Sequence, residues 1–125
     1  MKTTLTRPCA HCPFRRASVP GWLGPWGSEQ LLHALGREPF PCHCTVPLDR
    51  KTTYDDPALQ ACAGAAIFLN NKREKSRDPV TLRYQNKLRS MTLAVRALVF
   101  GSAKEFRSHH GDVPATIARD TDKMP

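Results

Sequence analysis

Proline decides what the first half of this chain can become. Eight of its 11 prolines fall at or before Pro57, at positions 8, 13, 20, 25, 39, 41, 47 and 57. Each removes a backbone N–H donor and fixes φ, so the segment forms neither long helices nor the interior strands of a sheet. Four of the five cysteines share that stretch (Cys9, Cys12, Cys42 and Cys44), and Cys62 follows just beyond it. A chain of 125 residues and 14.0 kDa is one small domain. If half of it lacks regular backbone pairing, something else must order it, and the thiols are the candidates.

The state of those thiols depends on compartment. The stretch from Met1 to Pro8 has no apolar run, so a secretory signal is not expected. The longest uncharged run, Pro57 to Asn71, is 15 residues and includes Gln60, Asn70 and Asn71, too short and too polar to cross a membrane. The expectation is therefore a cytoplasmic protein, in which a disulfide framework does not persist. Five is also an odd number of cysteines. Metal binding or thiol redox chemistry are the readings that remain.

Helix signals are sparse before residue 57 and dense after it. Ser28 as N-cap, Glu29, Leu31, Leu32 and Leu35 on one face, and Gly36 as a stop predict one short helix. Asp56-Pro57 predicts a helix start, with Ala58 to Leu69 mostly good helix formers around Gly64. Asp78-Pro79 repeats the signal. Val80, Tyr84, Leu88, Met91, Val95, Leu98 and Val99 then recur at helical spacing, predicting about five unbroken turns up to Gly101. Ser102 to Glu105 has the form of a capping box and opens a short helix to His109, with Gly111 behind it. Residues 1–113 form the expected single domain, divided into a Cys-ligated metal-binding region (7–70) and a basic helical region (72–110). Residues 114–125 read as a flexible tail. There is no internal repeat.

Cys9-Ala10-His11-Cys12 is a C-x2-C pair, a spacing that lets two sulfurs turn toward one metal. With Cys42 and Cys62 it makes a 2+1+1 set of four thiolates. Structural zinc more often uses two pairs, whereas clusters gather a pair and single cysteines from separate loops, and a proline after a ligand (Cys12-Pro13) also occurs in cluster loops. The pattern therefore favours a 4Fe–4S iron–sulfur cluster, with zinc as the alternative. His43, or His11, could replace one thiolate in a zinc site. Cys44, two residues from Cys42 on an extended stretch, is a substitute ligand. Without metal, Cys62 is a small core residue of an Ala-rich helix and Cys42 and Cys44 are buried thiols. Redox use of Cys9 and Cys12 wants a strand before the motif and a helix after it, and neither is present.

The strings Arg7-Pro8-Cys9-Ala10-His11-Cys12-Pro13-Phe14-Arg15-Arg16, Pro20-Gly21-Trp22-Leu23, Phe40-Pro41-Cys42-His43 and Cys62-Ala63-Gly64-Ala65 resemble a family of short bacterial and bacteriophage cysteine-rich proteins. That family carries C-x2-C-P-[FY]-R, C-H and C-A-G motifs and has no assigned reaction. The resemblance covers roughly residues 7 to 70. It implies a shared cysteine-held fold and a phage or mobile-element origin, hence a bacterial host cytoplasm. It also implies Cys9, Cys12, Cys42 and Cys62 as the common set, with His43 attached and Cys44 an extra.

Charge is concentrated in the other half. The net charge is +8, which disfavours an acidic mimic of DNA. Residues 63–125 hold 12 basic and 6 acidic side chains, against 7 and 5 in residues 1–62. Lys72, Arg73, Lys75 and Arg77 precede the expected long helix, and Arg83, Lys87 and Arg89 follow on its polar side. Such a strip suits phosphates or an acidic protein partner, though any amphipathic helix has a solvated charged face. Trp22 and Trp26 are expected to cap the core, and His109-His110 to be polar surface. No Ser/His/Asp set, phosphate loop or carboxylate pair is present, so the protein is not expected to be an enzyme.

The expected fold class is mainly α and small, with an irregular Cys/Pro-rich N-terminal half around a metal centre and a basic helical C-terminal half. The expected function is that of a metal-stabilised phage-type accessory protein, regulatory rather than catalytic. It would bind nucleic acid or a nucleic-acid-handling complex. Two alternatives are a protein-interaction module that modulates a host enzyme through its basic helix, and a C-x2-C thiol oxidoreductase.

Overall fold

The computed structural model describes residues 1–24, 26–42 and 56–115. His43, Cys44 and most of the expected tail lie outside the described residues. Five α-helices occur among those described: α1 (Ser28–Ala34), α2 (Ala63–Lys72), α3 (Pro79–Lys87), α4 (Leu93–Arg96) and α5 (Ala103–His110). Extended backbone appears there only as isolated bridges. The protein is mainly α.

Helix α2 is the axis of the molecule. Every residue from Ala63 to Leu69 is buried, and a helix apolar on all sides has to be surrounded. Its small first turn lets neighbouring backbone come close. Phe68 on α2 meets Phe14, which is the hub of an aromatic core. Phe14 lies 5.3 Å from Phe68, 5.7 Å from Phe40 and 5.8 Å from Phe106, centroid to centroid. The proline-rich half thus sends its core residue to α2 directly beside Cys12.

Helix α2 starts later than the sequence predicts. Asp56-Pro57 makes a turn instead, with Ala58 N–H donating to Asp56 Oδ1 at 2.8 Å. The next residues are taken by backbone pairing. Ala61 N–H donates to Lys2 C=O at 2.7 Å and Cys62 N–H to Phe40 C=O at 2.8 Å. Only Cys62 is left to cap α2, and its Sγ accepts from Ala65 N–H. Helix α1 begins one residue away from expectation: Gly27 is the N-cap. Ser28 is freed for a different task, donating from Oγ to Gly111 C=O and accepting from Val113 N–H.

The predicted five-turn helix is broken. Asp78 does cap α3, accepting from Thr81 N–H at 2.8 Å, but α3 tightens into a 3-10 turn at Leu88–Ser90 and stops. Thr92 then caps the short α4. Asn71 of α2 holds the turned chain beyond, its Nδ2 facing the carbonyls of Arg96, Val99 and Phe100 at 3.1–3.5 Å. The apolar period survives as a line of contacts, since Tyr84, Leu88 and Val99 are all buried. Leu93, 80% exposed, falls outside that line.

The two histidines at the end of α5 are not surface. His110 is buried. Its Nδ1 accepts from Gly21 N–H at 3.0 Å, which leaves Nε2 as the donor to Pro13 C=O at 2.7 Å. His109 Nε2 bonds Ser18 C=O at 2.7 Å. The tryptophans divide rather than cap together: Trp26 packs 5.4 Å from Phe40, while Trp22 is 43% exposed.

Burial holds the His110 imidazole below the ordinary histidine range, with the charge of His109 adding to it and the Pro13 carbonyl opposing. The folded protein therefore binds the neutral ring. That stability is complete above about pH 6.5, the unfolded value, and is lost as pH falls through the depressed folded value. Urea melts should show stability declining below about pH 6.5. In His110→Asn the decline should be shallower, from a lower starting point at neutral pH.

Candidate thiol centre and basic groove

Three backbone segments bring cysteines to the N-terminus of α2. Cys62 caps the helix. Cys42 N–H donates to Gln60 C=O at 2.7 Å while Cys62 N–H donates to Phe40 C=O, so Pro41 and Ala61 pair antiparallel. Residues one place either side of that pair share the opposite face, which makes Cys42 and Cys62 diagonal neighbours. The third segment is the C-x2-C turn, closed by Cys12 N–H on Cys9 C=O at 3.1 Å. Arg15 locks it, donating from Nε to Cys9 C=O at 2.7 Å and from Nη2 to Pro8 C=O at 2.8 Å.

The result places Cys12 Sγ 3.7 Å from Cys62 Sγ, both buried. The hydrogen bond from Cys12, then burial, then its charge push the Cys62 thiol up, with Cys42 adding and the Ala65 N–H opposing. Tyr84 feels the same group. Burial and the nearby Cys62 and Cys42 raise its phenol, and its O–H donates to Leu5 C=O. Cys9 is half-buried. Among the described residues no three His, Cys, Asp or Glu side chains stand close enough to share one ion. Of the expected four ligands the structure brings Cys12 and Cys62 into contact, sets Cys42 on the same face, and leaves Cys9 at the turn. The pairing of Cys12 with Cys62, 50 residues apart, differs from the C-x2-C pairing an oxidoreductase of this motif would use.

Chemically, two soft donors close together at a helix N-terminus suit a thiophilic cation, which relieves the repulsion between adjacent thiolates. A tetrahedral ion about 2.3 Å from each sulfur sets them about 3.8 Å apart. That is close to the observed contact. A four-iron cluster puts each thiolate on a separate corner and spreads them further.

The expected basic strip does not act as one line. Lys72 is turned back, its Nζ 3.3 Å from Glu74 Oε1 and 5.1 Å above the Phe68 ring. Lys87 Nζ donates to Thr3 C=O at 2.6 Å. Arg77 and Arg83 are exposed. Arg73, Lys75 and Arg89 instead converge on a groove of about 260 Å³ between the end of α2 and α3, joined there by Arg96 of α4. Arg96 lies beyond the strip read from the sequence. It reaches the groove because the chain turns after Ser90 into the separate helix α4, which no local spacing signals.

No protein-family model, curated protein or solved structure matches the chain.

Gly64 makes the thiol contact sterically possible. A Cβ there would stand 2.2 Å from Cys12 Sγ and 3.4 Å from Phe14 Cβ. Gly64→Ala should therefore destabilise the fold by about 1–3 kcal/mol, the usual cost of overpacking. It should also raise the reactivity of the Cys12 thiol toward a maleimide, and an unchanged melt with unchanged labelling would contradict the contact.

Proposed function

We propose that the protein is a non-catalytic, phage-type accessory module that binds nucleic acid through its basic second half, while a thiolate-bound metal staples its proline-rich first half. The observation that carries the reading is uncompensated charge. Among the described residues Arg73, Lys75, Arg77, Arg83 and Arg89 are exposed and make no ion pair. The nearby acids are already committed: Glu74 to Lys72, and Asp78 to the cap of α3. A helix face that needed only solvation would carry both signs. A field of one sign instead collects phosphates and releases their counterions.

The metal half of the proposal is supported by the close Cys12–Cys62 contact with Cys42 on its face. A single tetrahedral ion, zinc, could be seated without moving these two sulfurs apart, which is the reason it is placed ahead of a 4Fe–4S cluster. Cys12, Cys62, Cys42 and Cys9 would hold it, the last two moving in to complete the set. The ion would supply folding energy rather than chemistry, since four protein ligands leave no position open.

Retention on single-stranded oligonucleotides should weaken steeply between about 50 and 200 mM salt. Joint reversal of Arg73, Lys75 and Arg77 to Glu should abolish it without altering the circular dichroism spectrum. Absence of any shift at low salt would refute the nucleic-acid reading.

Elemental analysis of anaerobically purified protein should find one zinc per chain and no visible absorption band. Cys12→Ser should lower the melting temperature by roughly 10 °C, since each kcal/mol lost moves a domain of this size several degrees. Iron with a visible band would replace zinc by a cluster. Metal-free protein with an unchanged melt in Cys12→Ser would remove the staple.

A further inference from the structure

We infer that the groove between α2 and α3 seats one nucleotide of a single-stranded nucleic acid, its phosphate held by Arg73, Arg89 and Arg96. The inference rests on the nucleic-acid reading above and deepens it, replacing a diffuse basic face by a built subsite.

Arg73 is the first sign. It ends α2 in the left-handed conformation, at φ 60° and ψ 36°. That position usually falls to glycine or asparagine, because a Cβ there crowds the backbone. Among the described residues Arg73 alone, glycines aside, has a positive φ. Its backbone bonds, N–H to the Asn70 and Leu69 carbonyls, would form equally well with glycine. The arginine side chain makes no hydrogen bond or ion pair among the described residues, and it lines the groove.

The groove is also rigid before any ligand arrives. Gln85, buried on α3, pins the loop that carries Arg73 and Lys75. It accepts from Ser76 N–H at 2.8 Å and donates to Glu74 C=O at 2.7 Å and Asn70 Oδ1 at 3.1 Å. Arg96 is held from the opposite side. Its Nε donates to Asn71 Oδ1 at 3.2 Å while Asn71 Nδ2 donates to the Arg96 carbonyl, and the guanidinium's outer edge is left for a ligand. The backbone that carries Arg73 and Lys75 and the guanidinium of Arg96 are thus set in advance, which lowers the entropy lost on binding. Glu74, the carboxylate lining the groove, is neutralised by Lys72.

The remaining lining suits a nucleotide better than a bare anion. Leu82 offers an apolar contact for a base face and Asn86 an exposed amide that can bond a base edge, and the arginine planes are available for stacking. Arg77 and Arg83, exposed beyond the groove, provide for the neighbouring phosphates of a strand. An unpaired strand can turn one nucleotide into a concave site, which a stacked duplex cannot.

The test is fluorescence anisotropy with a labelled mixed-sequence single-stranded oligonucleotide, run on the full chain alongside thermal melts. Arg73→Gly should bind roughly tenfold more weakly at low salt. Its salt slope should be shallower by about 0.7, and its melting temperature equal to or above that of the parent. Arg96→Gln should show the same loss of affinity. Unlabelled single strand should displace the probe, whereas duplex of equal length and millimolar inorganic phosphate should not.

If the parent binds but Arg73→Gly and Arg96→Gln bind as well as it does, the groove is not the site, although the protein still binds nucleic acid. If the parent binds no oligonucleotide at low salt, the reading beneath fails as well. Equal displacement by duplex overturns the strand preference, and displacement by phosphate alone makes the groove a free-anion site instead.

Discussion

The structure depends on the seat of residues 12–14 against the first turn of α2. A segment this rich in proline cannot satisfy its own backbone, and buried carbonyls without donors are costly. Its donors come from far along the chain. His110 supplies Pro13, His109 supplies Ser18, and Phe100 N–H supplies Phe14. Arg15 covers Pro8 and Cys9. None of these bonds would find its partner if Cys12 and Phe14 were not pressed onto α2, and only the missing side chain of Gly64 allows that approach. Secondary structure is thin here because the tertiary contacts supply the hydrogen bonds that sheets and helices usually supply.

The same seat links the two halves. Tyr84, on the apolar line of α3, reaches Leu5 and lies within the electrostatic influence of Cys42 and Cys62. One residue on, about 100° round the helix, Gln85 faces the loop of cations and lines the groove. Helix α3 thus has the thiol centre at one flank and the basic groove at the other. A shift of α3 along α2 would disturb both, so the stability of the first half and the binding surface of the second are one mechanical problem.

Local rules read much of this correctly. Asp78-Pro79 and Ser102 start helices where capping chemistry says they should, because those bonds span only three residues. Helical periodicity found the apolar line from Tyr84 to Val99 but not its break, since period measures a face and not continuity. The break is imposed by Thr92 and by Asn71, a residue of another helix. Asp56-Pro57 failed as a helix start because Lys2 and Phe40, distant in sequence, claim the backbone of residues 59 to 62. The histidines were misread for a similar reason: their acceptors lie 91 and 97 residues away. At the thiol centre the C-x2-C spacing does not point to the contact of Cys12 with Cys62, which is fixed by the course of three loops. No local pattern carries that.

The clasp between α5 and the turn at Pro13 also sets an order of events in the cell. Residues 8–20 leave the ribosome long before the two imidazoles that will hold them, and until α5 emerges the carbonyls of Pro13 and Ser18 lack those donors. The early part of the nascent chain is therefore obliged to wait, unlocked and with its thiols open to solvent, until nearly the last described turn of helix has been made. During that interval Cys12, buried in the finished fold, is still in contact with solvent, and the docking of α5 onto Pro13 is among the last steps that close the segment around it.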